Sequence, residues 1–495
     1  MLVRHLLALS VVTATASSAY GQSHVHHYRT VAGILLCNCG GLGGTHGNLP
    51  VVGLPPKSRQ GGGELLFNAN ATGVRTQPMG MTPVTPGSNA PPPLFPSSSV
   101  AAPLYSSRPQ AAAKLYLDFD GIDFQGTWGN TGRSPGVVPR YNTDGDASSF
   151  SPGELTAIYE IYSRVAEAYS PFNVDVTTVD PGTPSARRSV RVVIGGSNGW
   201  FGGGGGVAYI GSFTYADYSY GTAWVFPENL GGGNAKFVAD AAIHEAGHTF
   251  GLFHQQQINA NGVVVSEYRT SENDAVSAPN MGVAYYRDRG VWSNGNIGYG
   301  NSQFIRQDDF AQLASTSAAP YNHPVLGTSS FNGFGVRADD FANTFAAATA
   351  IPPAVDGGLF GAPTPRVLSI SGVIERVTDV DMFSFSLGGG DVSINIDNAL
   401  FGAMLDTRLM LYSSTGTLLE TVNPPISAGV AGLGLDVRWT GFLDGGTYYV
   451  GVAGAGNYGD LGQYTLSVFL PFSSVPEPGF VLSLLIMLPL ASRRR

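Results

Sequence analysis

His244-Glu245-Ala246-Gly247-His248-Thr249-Phe250-Gly251-Leu252-Phe253-His254 decides how this chain of 495 residues is read. Histidines four apart share one face of a helix, separated by about 6 Å along its axis. At that spacing two imidazole nitrogens reach one zinc ion at about 2.0–2.1 Å. Gly251 follows His248 by three residues. Glycine tolerates positive φ, so this position predicts a helix end and a sharp turn. The turn brings His254 back as a third ligand. Three protein ligands leave the fourth tetrahedral position to water, the arrangement of a catalytic site for one Zn2+. Glu245, beside the first ligand, is placed to take that water's proton as general base. A bare H-E-x-x-H is common by chance. Here the glycine and the third histidine fix two further positions.

With its third histidine the motif resembles the metzincin clan of zinc endopeptidases. The resemblance implies an α+β catalytic domain, a mixed twisted sheet with an active-site helix. It also implies a structural methionine turn beyond the third ligand. Ala278-Pro279-Asn280-Met281-Gly282 lies at a suitable distance, so Met281 takes that place. Two departures stand out. Gln255 after the third ligand matches none of the clan's named families. Val283 stands two residues after the methionine, where astacin-like and serralysin-like members carry a tyrosine; Tyr285 and Tyr286 come first beyond it and are the candidate oxyanion helpers. In the clan an edge strand before the active-site helix binds extended substrate by adding it as another strand. Val207, Ala208, Tyr209, Ile210 and Gly211 match that edge. The stretches Leu115–Gly121, Tyr169–Val176 and Gln307–Phe310 resemble exported planctomycete-type proteases with the same motif, and the likeness covers about 112–320.

Composition bounds the setting. Charged residues make up 12%, with 67 Gly and 32 Pro, which suits a secreted, β-rich, loop-rich protein. A net charge of −9 is mild and argues against a nucleic-acid partner; the motif resemblance implies a protein or peptide substrate. Residues 1–21 carry Arg4, an apolar run Leu6–Ala16 and Ala19-Tyr20-Gly21, the order of a signal peptide. At 475–495, Val475-Pro476-Glu477-Pro478, an apolar run and Arg493-Arg494-Arg495 resemble a PEP-CTERM sorting signal. That resemblance implies a transient inner-membrane anchor, removal by an exosortase and an extracellular or cell-surface product. Cys37 and Cys39 are the two cysteines; they read as leader thiols without function, with a thiolate cap on the zinc of a latent form as the alternative.

Residues 22–111 read as a low-complexity leader or propeptide, because Pro91-Pro92-Pro93 and Pro96-Ser97-Ser98-Ser99 cannot pack a core. The catalytic domain spans 112–325. Leu115, Leu117 and Phe119 alternate with polar residues, a strand pattern. Asn142-Thr143-Asp144-Gly145-Asp146 reads as a polar turn; Ca2+ is an alternative, but its glycine does not fit an EF-hand loop. Ser151-Pro152-Gly153-Glu154 is a capping box opening a helix with one apolar face. Asn234 caps the zinc helix. Residues 326–337, inside a Gly/Pro/Ser-rich stretch, predict a linker that leaves the two domains free to fold apart. Beyond it, 338–471 shows eight short alternating strands, an all-β sandwich. Asp379–Phe385, Leu405–Tyr412, Gly446–Val452 and Gln463–Phe469 resemble the bacterial pre-peptidase C-terminal domain.

Two function classes follow. One is a secreted zinc endopeptidase with Glu245 as base. The other is a surface or matrix binding protein whose protease domain has decayed. Decay commonly removes the base or a ligand, and this chain keeps all four residues.

Overall fold

The computed structural model describes residues 29–31, 34–39, 89–298, 304–318, 320–323, 327–330, 332–353, 367–428 and 431–471. The segments read as signal peptide and sorting signal lie outside them. Among the described residues no helix is long and apolar enough to cross a membrane.

The catalytic region is built on one mixed sheet. Its strands are β1 (Arg29–Val31), β2 (Ile34–Cys39), β3 (Ala113–Asp118), then β4 (Val174–Thr177), β5 (Ser189–Ile194), β6 (Gly206–Tyr209) and β7 (Thr222–Val225). They lie in the order β1-β2-β6-β7-β5-β3-β4. The pairs β3–β4, β3–β5 and β5–β7 are parallel; β6–β7, β2–β6 and β1–β2 are antiparallel.

Two helices cover one face. Helix α1 (Pro152–Ala168) starts as expected: Ser151 and Glu154 cap each other, with proline at the first turn. Helix α2 (Ala235–Thr249) carries the motif, and the Asn234 side chain accepts the Phe237 N–H at 3.2 Å. Ile158, Tyr162, Ala239 and Ala242 pack with Leu115, Leu117 and Val192. The opposite face is covered too, by Trp128, Val193, Tyr209, Trp224 and Phe226. With both faces occupied, Tyr116 and Asp118 are as buried as their apolar neighbours. The alternation read from sequence thus marks two cores rather than a wet face.

The leader departs from its sequence reading over 89–111. Tyr105 is buried in the main core, the Ser107 N–H donates to Val176 O at 2.9 Å, and Ser106 bridges Thr177. An extended proline-rich segment needs no core of its own when it lies along an existing sheet edge. The Asn142–Asp146 loop is the polar turn expected: Asn142 Oδ1 accepts the N–H groups of Asp144 and Gly145.

The all-β domain also differs in detail. Val380–Asn398 and Val437–Gly454 are each one long strand where two short ones were expected. Their pairing runs on through Gly389↔Asp444 and Gly390↔Leu443. Glycines at φ +101° and +135° bend the ladder without breaking it. The first half of Val380–Asn398 pairs with Val437–Gly454 and, in parallel, with Thr349–Ala350; its second half pairs with Val437–Gly454 and with Gly462–Phe469. Each long strand therefore serves both halves of the sandwich, around Phe383, Ile394, Val450 and Leu466.

The two domains are not tethered loosely. Asn332 Nδ2 donates to Phe250 O, and Arg337 N–H donates to Pro171 O. Glu167 of α1 is fully buried and accepts hydrogen bonds from Met404 N, Gln463 N and Gln463 Nε2. Arg289 pairs with Asp460 at 2.7 Å, both buried. Removing one partner of such a pair costs about 3–5 kcal/mol.

Burial pushes the Glu167 carboxyl up to about 7, against the hydrogen bonds from Gln463 and Met404 that lower it. Between the ordinary value of 4.5 and about 7, the folded chain holds a proton that the unfolded chain has lost. Stability from this group is therefore present at low pH and lost as pH rises through that window. Glu167→Gln removes the linkage. Thermal unfolding across the window should show a flatter pH dependence for the variant than for wild type. Equal slopes would mean that Glu167 stays ionised at the interface.

Candidate active site

Helix α2 ends where the motif demands. Gly251 sits at φ +94°, a left-handed turn that a side chain would strain. The turn returns His254 to the helix. His244, His248 and His254 offer ligand nitrogens within 4.8 Å of one another, and all three are buried. The Nε2 atoms of His248 and His254 lie 3.1 Å apart.

Each ring is oriented from behind by its other nitrogen. His244 Nδ1 bonds Asn280 O at 2.8 Å, His248 Nδ1 bonds Leu252 O at 2.7 Å, and His254 Nδ1 bonds Glu267 Oε1 at 2.8 Å. Such partners fix the tautomer and leave Nε2 as the ligand atom. Burial, and then the neighbouring His244 and His254, hold His248 well below the ordinary histidine range. The ring stays neutral, the form that binds a metal. This donor set fits a metal ion of borderline softness: three neutral imidazoles converging on one point.

Glu245 is fully buried on the same helix. A Cβ on Gly206 of β6 would collide with its carboxylate, so a glycine there makes room for the carboxyl group. Met281 is fully buried, and a Cβ on Gly247 would collide with its sulfur. The methionine turn thus lies directly against the helix between the two helical histidines. Gln255, the residue without a family match, has a structural place. Its N–H donates to Met281 O at 2.7 Å, and its side chain donates to Asp309 Oδ1 at 2.8 Å.

The remaining candidates fall as follows. Val207, Ala208 and Tyr209 lie on β6, and Ile210 and Gly211 just beyond it. In the fold this strand is not bare: β2 of the leader pairs with it antiparallel, from Leu36↔Tyr209 to Cys39↔Gly206. Tyr285 lines a small cavity with His244, Asp240 and Asn280. Tyr286 is 61% exposed, and both rings pack against Phe237. Two residues escaped the sequence reading. Glu267 holds His254, and the Tyr268 ring lies 4.4 Å from the His254 ring. The single hint was a carboxylate beside an aromatic residue shortly after the third ligand.

A metallopeptidase family matches here. The description is "Metallo-peptidase family M12B Reprolysin-like", over residues 173–255. That span runs from β4 to the residue after the third histidine. The match and the three-histidine cluster fit a metzincin. No curated protein matches the chain. Among solved structures, the pre-peptidase C-terminal domain of a Bacillus anthracis collagenase is similar at 14% identity, covering 24% of this chain and 93% of that one, TM-score 0.17. Aeromonas hydrophila PliG, a periplasmic inhibitor of g-type lysozyme, is 14% identical over 25% of this chain and 96% of its own, TM-score 0.17. The Yersinia pseudotuberculosis-derived mitogen is 10% identical over 23% and 93%, TM-score 0.16.

Carboxylates also gather outside this centre. Asp339, Glu375 and Asp379, and Asp339, Asp340 and Asp381, form two overlapping acidic groups in the sandwich. Burial pushes Glu375 up to about 10 and Asp381 up to about 9.

Glu267 is the partner whose removal least disturbs packing, since its side chain is 24% exposed. Glu267→Ala should weaken metal binding about tenfold to a hundredfold, the usual cost of losing such a partner. Competition with a chromogenic chelator measures it. Unchanged affinity would mean that His254 is held by the backbone turn alone.

Proposed function

We propose that this chain is an exported zinc endopeptidase. The observation that carries the reading is the convergence of three buried, back-anchored imidazoles beside a buried glutamate on the same helix. His244, His248 and His254 hold the ion. Zinc, when bound there, polarises a carbonyl and makes a water acidic near neutral pH. Glu245 takes the proton from the attacking water and returns it to the leaving amine.

An extended substrate lies along β6 as a further strand. The leader strand β2 sits on that same edge, so a substrate backbone and the leader compete for one row of hydrogen-bonding groups. Departure of the leader precedes cleavage of other chains. The chain's two ends support export, with Arg4 and the apolar run at one end and Val475-Pro476-Glu477-Pro478 with Arg493–Arg495 at the other. An exosortase releases the product at the cell surface.

Glu245→Gln tests the mechanism, because the amide keeps the size while losing the base. Zinc content should match wild type while kcat on a peptide falls about 10²–10⁴-fold, the range for a lost general base. A chelator should silence the wild type and added zinc restore it. Near-wild-type turnover by the zinc-loaded variant rules Glu245 out as base. If the leader-free wild type cleaves nothing in a broad peptide library, the endopeptidase reading falls.

A further inference from the structure

The anchor of the first histidine is itself anchored by the other domain. Asn280 accepts from His244 through its main-chain carbonyl, while its side-chain Nδ2 lies 3.9 Å from Met404 Sδ. Met404 belongs to the sandwich by sequence and to the catalytic core by burial. It is 1% exposed and packs in the cluster that holds Met281, Ala242 and Ile243.

The Met404 backbone is pinned on both sides. Its N–H donates to Glu167 Oε1 at 3.3 Å. Its carbonyl accepts from Arg289 Nε at 2.9 Å and from Nη2 of the same guanidinium. Arg289 in turn is held by Asp460 of the sandwich. Arg289 also begins the strand Arg289–Val291, which pairs in parallel with Ser277–Pro279, and Asn280 N–H donates to Val291 O at 2.8 Å. One guanidinium therefore ties together the strand beside the methionine turn, the Met404 loop and the Asp460 loop.

We infer that the sandwich completes the metal centre, and that Met404 is a positioning residue for His244. It acts through Asn280: the Met404 side chain closes the space behind the asparagine, and the fixed asparagine carbonyl sets the ring. The ring's freedom to turn away from the ion is limited by a contact from outside the catalytic domain. This inference rests on the three-histidine site proposed above, and wild-type zinc binding is the control that separates the two.

The test uses the full chain with Met404→Ala, Met404→Leu and Asn280→Ala. Leucine fills nearly the same volume, so it should preserve the wall, whereas alanine opens it. Met404→Ala should release zinc to a chelator about tenfold to a hundredfold faster than wild type. Its cobalt-substituted form should show altered d–d bands. Its kcat should fall with little change in KM, because Met404 does not line the substrate edge. Met404→Leu should restore all three. Asn280→Ala keeps the carbonyl but loses the side chain against Met404, and it should release zinc faster as well. If Met404→Ala fails to fold, Asn280→Ala decides. A folded variant with wild-type release and wild-type cobalt bands overturns the inference. A wild type that binds no zinc overturns both this and the reading beneath it.

Discussion

Three imidazoles must aim Nε2 at one point, and a helix can supply only two of them. Everything around the cluster follows from that constraint. The third ring needs a chain reversal within one turn of the helix end, which Gly251 supplies. All three rings then need an acceptor behind Nδ1, and no single element can reach all three positions. The turn itself serves His248 through Leu252 O, the methionine turn serves His244, and Glu267 serves His254. The helix is thereby tied to the loop of Asn280, and the turn that follows it to the loop of Glu267.

Close approach is the second demand. The methionine turn reaches the helix only because Gly247 has no side chain, and β6 reaches Glu245 only because residue 206 is glycine. Buried polar groups hold the loops once they are there. Gln255, Gln307 and Asp309 share hydrogen bonds around residues 253–255, and Gln307 both donates to Phe253 O and accepts from its N–H. In a low-dielectric interior each such hydrogen bond is electrostatically stronger than in water.

The three-histidine cluster was legible because its members lie within one local motif, where helix and turn geometry translate spacing into distance. The caps at Ser151 and Asn234 were legible for the same reason. Met281 was found only through a family resemblance. Glu267 was not legible, since its approach to His254 depends on Arg269 N–H pairing with Gln255 O across a loop. Met404 was beyond reach, standing 124 residues from Asn280. The sandwich strands were mis-divided where glycines that usually end strands instead bend them, at Gly389 and Gly390. The 89–111 segment misled because proline-rich composition reports what a chain cannot bury itself, not what an existing sheet can hold.

Met404 and Asp460 also order events in time. Synthesis runs from the first residue to the last, so the three histidines leave the ribosome long before the groups that steady Asn280. Met404 follows His254 by 150 residues, about 8–30 s at about 5–20 residues per second. The strand Gly462–Phe469, which closes both halves of the sandwich, comes later still. Through that interval the nascent chain carries a complete motif without its outer wall. The outer wall behind His244 is thus among the last parts of the fold to be made.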